Sequence, residues 1–145
     1  MKTTKIIYIL KPYFEKLEFI DFSLIFGSFA LGKNHDISDL DIAVHTEKDL
    51  SLIEIGGIVS DIEMASGINT DLIILNNLYK TKPEFAYNIV KDSIPIITNK
   101  KDELINFKKN TYLYYLDTEY LRKMVYAGLN KRIENKRFGD SNYAG

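Results

Sequence analysis

The fold is decided by residues 27–44, which read GSFALGKNHDISDLDIAV. A glycine-serine pair follows an apolar run at residues 22–26, and an Asp-Leu-Asp triplet opens a second apolar run. Side chains alternate between the two faces of a β-strand, so alternate residues on one face are about 6.5 Å apart. The pattern therefore predicts that Asp39 and Asp41 share one strand face, while the aliphatic residues beside them face a core.

Two neighbouring carboxylates that are shielded from water raise each other's pKa, so they need a positive charge between them. A hard divalent cation such as Mg²⁺ meets that need, because it prefers carboxylate, water and phosphate oxygens. A softer metal would find no cysteine on this strand and only His45 at its end. We expect His45 to be a structural residue outside the site.

The glycine-serine turn predicts an anion site beside the carboxylates. Gly27 lets the backbone approach a phosphate closely. Ser28 is a candidate N-cap of a short helix, whose free N–H groups and positive dipole end attract anions. A strand, a turn, a short helix and an acid-bearing strand together predict a triphosphate site that faces a pair of metal ions. The alternative is an ordinary hairpin loop with exposed acids.

These residues resemble the signature of the polymerase-β-type nucleotidyltransferases, which has Gly-Ser, ten intervening residues and Asp-x-Asp. A chain of this size is most similar to the minimal nucleotidyltransferase (MNT) antitoxins that pair with HEPN-domain toxins. The resemblance implies a polymerase-β-like α/β (α+β) fold, with a small mixed sheet flanked by helices and a long C-terminal helix. It departs at Leu31, where the family often has arginine. Lys33 is a candidate to supply the missing charge.

The resemblance also implies a reaction and a partner. Asp39, Asp41 and Asp71 would hold two Mg²⁺ ions, and Gly27 and Ser28 would hold the phosphates of ATP. The acceptor would be a hydroxyl on a HEPN ribonuclease toxin, which AMP attachment would silence in a hetero-oligomer of the two proteins. Two rival hypotheses remain, namely an antitoxin that acts mainly by binding and a stand-alone nucleotidyltransferase for a small molecule.

Composition sets limits on other functions. The chain has 145 residues, a formal net charge of −1 and no cysteine. The charge argues against direct nucleic-acid binding, and the absence of cysteine excludes disulfides and thiolate metal sites. No apolar stretch approaches the roughly 18 residues of a membrane span. We therefore expect a soluble, cytoplasmic protein with no membrane contact.

Apolar spacing predicts a first helix over about residues 4–17, capped by Thr3 or Thr4, and a second over about residues 48–66. The Gly56-Gly57 pair weakens the second helix. It either permits close packing on the sheet or marks a break. Gly67 is the expected C-cap.

A third strand is predicted over residues 69–75, and its largely apolar composition predicts a central position in the sheet. Asp71 is the exception in this run. A carboxylate at the head of a buried strand is costly unless it is paired or bound to metal, which invites a role in the site. The alternative is that Asp71 caps a turn where the strand starts.

The rest of the chain is predicted to be mostly helical. Pro83 suits the first position of a helix over residues 84–91, and Pro95 restricts residues 93–98 to an edge strand. A long final helix follows from Lys101, with a possible break near Asn110. We predict one domain over residues 1–145, with a catalytic core at about 1–99 and a helical extension at about 101–138.

The final helix carries tyrosines at positions 112, 114, 115 and 120, on more than one face. They are either half-exposed residues of a helix packed on the sheet or part of a partner surface, where aromatic side chains are enriched. In the loop before the carboxylates, His35 and Asp36 either contact substrate or form a turn, and the turn is the favoured interpretation.

Overall fold

A computed structural model describes residues 2–135, and it describes the side chains of residues 2–130. The described chain alternates helices and strands. The elements are α1 (Thr3–Glu15), β1 (Ile20–Phe26), α2 (Gly27–Ala30), β2 (Leu40–Thr46), α3 (Leu52–Ser66), β3 (Thr70–Ile74), α4 (Leu78–Thr81), α5 (Pro83–Lys91), β4 (Ile94–Thr98) and α6 (Lys101–Asn135). The part of the predicted extension beyond residue 135 lies outside the described residues.

The four strands form one mixed sheet in the order β3-β2-β1-β4. Strand β1 pairs antiparallel with both β2 and β4, whereas β2 and β3 run parallel. Helices α1 and α3 cover one face of the sheet, and α5 and the first part of α6 cover the other. The predicted α/β fold, with a small mixed sheet flanked by helices and a long final helix, is confirmed.

Helix α1 packs on the sheet through Ile6, Leu10 and Phe14, which recur every four residues and are fully buried. The helix continues through Pro12. The predicted cap is wrong, because Lys2 occupies the N-cap position and makes no side-chain bond there. Thr3 instead donates its hydroxyl to the carbonyl of Phe29, which ties α1 to the segment after β1.

Helix α3 begins four residues later than predicted because a capping box fixes its start. Ser51 accepts a hydrogen bond from the N–H of Glu54, and the Glu54 carboxylate accepts one from the N–H of Ser51. Gly67 ends the helix in the left-handed conformation, as expected. The helix runs unbroken through Gly56 and Gly57, which face open space, so neither a break nor packing on the sheet explains the pair.

The predicted central position of β3 is wrong, because β3 forms an edge of the sheet. Its apolar composition has another cause. Leu72 and Ile74 pack against the core beneath α1 and α3, while Ile73 packs against the core beneath α5 and α6. An edge strand that is covered on both faces needs apolar side chains on both faces.

The second half of the chain follows the prediction more closely. Pro83 occupies the first turn of α5, and β4 forms the other edge of the sheet. Helix α6 has no break at Asn110. No helix among the described residues combines the length and the apolar composition that crossing a membrane requires.

Candidate active site

Asp41 is the second residue of strand β2. Leu40, Ile42 and Val44 point into the core and are fully buried, whereas Asp41 is half-buried on the opposite face. Asp39 lies directly before the first residue of β2 and is exposed, and its charge contributes to the raised pKa of Asp41. That the two carboxylates share one strand face stays a prediction.

Gly27 lies directly against Asp41. Strand β1 ends at Phe26, which is the antiparallel partner of Asp41, so the next residue turns over the carboxylate. Gly27 has a φ of +74°, and a Cβ at this position would overlap Asp41 Oδ2. Both the backbone conformation and the lack of space require glycine here. The glycine-serine turn and the carboxylate of Asp41 are therefore in direct contact.

Helix α2 is a four-residue turn of helix rather than the capped helix that the sequence predicts. Ser28 is not its N-cap, because that position belongs to Phe26, which makes no side-chain capping bond. The buried ring of Phe29 anchors the turn. The N–H of Lys33 donates to the carbonyl of Ser28 at 2.9 Å, which folds the following loop back onto the turn. Lys33 itself is exposed.

Asp71 adjoins Asp41 across the parallel pairing of β2 and β3, in which the two residues are register partners. The sequence argument from burial is wrong for Asp71, which is exposed. It is the second residue of β3, so it does not cap a turn before the strand. Its position beside Asp41 nevertheless brings a second carboxylate to the same end of the sheet.

Burial and the neighbouring carboxylates both change the pKa of Asp41. Burial raises its pKa above the ordinary value of 3.8, and the nearby charges of Asp71 and then Asp39 raise the pKa further. Within the described part of the chain, the three carboxylates do not form a set whose oxygens all lie within 4.8 Å of one another. The arrangement is that of like charges that repel in the absence of a cation. An all-oxygen donor set of this kind fits a hard divalent ion such as Mg²⁺.

The loop before the carboxylates folds into a closed turn. The N–H of His35 donates to Ser38 Oγ at 2.8 Å, and the N–H of Ser38 donates to the carbonyl of His35 at 2.9 Å. These bonds support the favoured turn interpretation of the His35-Asp36 pair. A further backbone bond from the N–H of Leu40 to the carbonyl of Asn69, at 2.8 Å, fixes where β2 meets β3.

Two features of this region are missing from the sequence argument. Thr3 reaches the carbonyl of Phe29 across 26 residues of sequence, and no local pattern predicts that contact. His45 binds Asp21 rather than any of the three candidate ligands, with its Nδ1 2.8 Å from Asp21 Oδ2. The expectation that His45 lies outside the carboxylate site agrees with this geometry.

The sequence matches the family model described as polymerase beta, nucleotidyltransferase over residues 9–102, which is more than half of the 145-residue chain. The chain belongs to this nucleotidyltransferase family. The matched region contains the turn at Gly27 and all three carboxylates, and it ends where α6 begins. The family that the motif spacing predicts is therefore confirmed. There is no significant match among curated proteins.

Solved structures with the same fold include toxin–antitoxin complexes. One is a toxin–antitoxin crystal structure with AMP-PNP, at 21% identity and a TM-score of 0.66, covering 88% of this chain and 98% of that chain. Another contains a tri-AMPylated HEPN toxin of Shewanella oneidensis with its MNT antitoxin, at 17% identity and a TM-score of 0.61, covering 84% and 97%. A MntA–HepT complex matches at 19% identity and a TM-score of 0.59, covering 87% and 94%. At these identities the likeness shows a shared fold.

Proposed function

We propose that this chain is a Mg²⁺-dependent adenylyltransferase that transfers AMP from ATP to a hydroxyl of a HEPN-domain toxin and thereby acts as its antitoxin. One observation carries the proposal. A glycine turn at the start of a short helix lies against a half-buried carboxylate, whose pKa is raised by two further carboxylates nearby. The solved complexes of similar fold, one with AMP-PNP and one with an AMPylated toxin, support the choice of nucleotide and partner.

The turn is suited to the β- and γ-phosphates of ATP. The first N–H groups of a helix have no partner within the helix, so those at the start of α2 are the candidates to donate to a bound phosphate. Because Gly27 has no side chain, the Asp41 carboxylate can lie against the turn, so a metal ion held by Asp41 would be next to a phosphate bound at the backbone of the turn. Ser28 adds a half-exposed hydroxyl at the same turn, and Lys33 adds a cation in the loop that bonds back to it.

The carboxylates of Asp39, Asp41 and Asp71 are the proposed metal ligands. Bound Mg²⁺ would stabilise the charge that develops on the attacking and leaving oxygens. Asp71 is exposed and is not confined by the core, so it is also the candidate to accept the proton of the acceptor hydroxyl. In the reaction, the acceptor oxygen bonds to the α-phosphorus and the bond from that phosphorus to the pyrophosphate oxygen breaks. The products are an AMP-modified protein, pyrophosphate and one proton.

The reaction itself provides the test. We expect that incubation with α-³²P-labelled ATP and Mg²⁺ labels a HEPN-domain partner protein when that protein is added. Omission of Mg²⁺, or use of ATP labelled at the γ-phosphate, should leave that protein unlabelled, because only the AMP moiety is transferred. Label on a small molecule such as an aminoglycoside, with no partner protein present, would favour the stand-alone enzyme instead.

A second candidate function, neutralisation by binding alone, is favoured by the far face of α6. The near face packs on α5, where Tyr115 stacks on Tyr87 with ring centroids 3.9 Å apart and Arg122 binds Glu84 at 2.7 Å. The outer stripe of the same helix is apolar and solvent-exposed. Its residues are Leu113, Leu116, Tyr120 and Met124, and between 51% and 64% of each is exposed.

A charge placed in this outer stripe should separate binding from catalysis. We expect Tyr120→Lys to weaken the complex with the HEPN-domain protein by about tenfold or more, because exposed aromatic side chains dominate many interfaces. Calorimetry or a pull-down with purified partner measures the effect. Tyr8→Lys is the matched control, since Tyr8 is also highly exposed but lies on α1. Unchanged affinity in the Tyr120 variant would exclude the stripe as the docking surface.

A further inference from the structure

A second group of potential metal ligands lies at the end of the sheet remote from Asp41. Asp21 comes from β1, His45 from β2 and Glu103 from the first turn of α6, and one ligand atom of each lies within 4.8 Å of the other two. His45 is four residues along β2 from Asp41, which separates the two groups by about 13 Å. The group is therefore distinct from the proposed nucleotide site.

Asp21 is the buried member of this group, with 4% of its side chain exposed. Its Oδ2 lies 2.8 Å from His45 Nδ1, and its Oδ1 lies 3.1 Å from Lys100 Nζ. The Lys100 ammonium is an ion-pair partner of Oδ1, and no other hydrogen bond to this oxygen is present among the described residues. A buried carboxylate needs a positive partner, and the partly exposed ammonium group of Lys100 is one that a metal ion can replace.

His45 is held in place from two sides. Its ring stacks on Phe22, with centroids 5.1 Å apart and an interplanar angle of 10°, and it meets Phe107 edge-on at 5.9 Å. Only 17% of its side chain is exposed. The imidazole is thus fixed beside Asp21 by packing, and ligand orientation of this kind strengthens metal binding.

We propose that Asp21, His45 and Glu103 bind a divalent transition-metal ion of the Zn²⁺ class. One imidazole nitrogen and two carboxylate oxygens are ligands that Zn²⁺ accepts, whereas Mg²⁺ avoids histidine. A water molecule completes a tetrahedron. Tetrahedral bonds of 2.0–2.2 Å place the ligand atoms roughly 3.4 Å apart, so the present separations must change by at most about 1.4 Å.

Lys100 is the cation that the metal would replace. The Lys100 side chain is 44% exposed and also reaches Glu47 at 3.4 Å, so its ammonium group can move into solvent when a metal ion takes its place beside Asp21. Lysine is charged at neutral pH, so Lys100 competes with an incoming ion for the Asp21 carboxylate. The bound metal would join β1, β2 and α6, and its role would be to fix the start of α6 on the sheet.

The test measures Zn²⁺ binding to the untagged chain carrying Asp39→Asn and Asp41→Asn, which removes two of the three carboxylates of the proposed nucleotide site. We expect one equivalent of Zn²⁺ by calorimetry and a rise in melting temperature on adding it. Glu103→Gln and His45→Gln should each weaken binding by about 100-fold, since even indirect partners of a metal are worth 10- to 100-fold. Glu103 is exposed, so that variant should fold normally.

Two further variants make the result decisive. His35→Gln removes the chain's other histidine and should leave Zn²⁺ binding unchanged. Lys100→Gln removes the competing cation and should tighten binding several-fold, an effect that a purely structural ion pair would not produce. Absence of a stoichiometric Zn²⁺ site, or equal affinity in the His45→Gln and His35→Gln variants, would overturn the proposal.

Discussion

Replacing Asp41 with asparagine is expected to abolish AMP transfer and, in metal-free buffer, to make the protein more stable. Activity should fall by on the order of 10³-fold or more, because asparagine cannot hold the cations that stabilise charge in the transition state. The stability effect has the opposite direction. Asp41 is half-buried beside Asp71 and Asp39, and its charge is a source of repulsion in the folded protein.

The pH dependence of this effect follows from the raised pKa of Asp41. Above pH 3.8 the unfolded chain loses the Asp41 proton while the folded protein still retains it. The contribution of Asp41 to the free energy of unfolding therefore falls as the pH rises from 3.8 through the folded-state pKa, and it stays low at neutral pH. The advantage of Asp41→Asn should accordingly be present at pH 7 and disappear below pH 3.8.

Thermal unfolding at pH 7 measures the stability of the Asp41→Asn variant without metal and its response to Mg²⁺ and ATP. In EDTA, Asp41→Asn should melt roughly 1–3 °C above the wild type, because Asp41 is only partly shielded and solvent screens the repulsion. Adding Mg²⁺ and ATP should stabilise the wild type but not the variant, so the order of the two melting temperatures reverses. Asp49→Asn, in the exposed loop after β2, is the control and should change neither property. An active Asp41→Asn enzyme would refute the assigned site.

The parts of the site that the sequence predicts are those set by local pattern. Leu40, Ile42 and Val44 are buried as expected, because alternation along a strand depends only on neighbouring residues. The predicted closeness of Gly27 and Asp41 also agrees with the structure. The antiparallel pairing of β1 and β2 brings the two residues together at one end of the sheet. The capping box of Ser51 and Glu54 is likewise a local pattern, with serine and glutamate three residues apart at the start of α3.

The errors arise where a local pattern was used to infer a non-local arrangement. The apolar composition of β3 reports that both of its faces are covered, but it says nothing about how many strands lie beside it. The same limit applies to Asp71, which is exposed at the start of the strand although the residues after it are partly buried. The contacts of Asp21 with His45 and Lys100 join residues that are far apart in sequence, so no motif predicts them.

Replacing Gly27 with alanine should disable the enzyme through a single methyl group. At a φ of +74° the change costs about 1–2 kcal/mol of folding free energy, because L-residues disfavour the left-handed region. The new Cβ would also overlap Asp41 Oδ2, so the carboxylate must leave its position or the turn must move. Either movement separates the phosphate turn from the metal ligands. We expect AMP transfer to fall by about 10²-fold, the scale expected when a catalytic group is displaced by about 1 Å.

Two other glycines separate these effects, because they share the backbone conformation and lack the contact. Gly32 has a φ of +69° and Gly67 a φ of +73°, and a Cβ at either position meets nothing within 4 Å. Gly67→Ala should lose similar stability to Gly27→Ala and keep its transfer rate once the folded fraction is matched. Gly32→Ala tests the loop after α2 in the same way. If all three variants lose activity in proportion to stability, the contact between Gly27 and Asp41 has no catalytic role. If Gly27→Ala alone loses more activity than its loss of stability accounts for, the contact between Gly27 and Asp41 aligns the phosphates with the carboxylates.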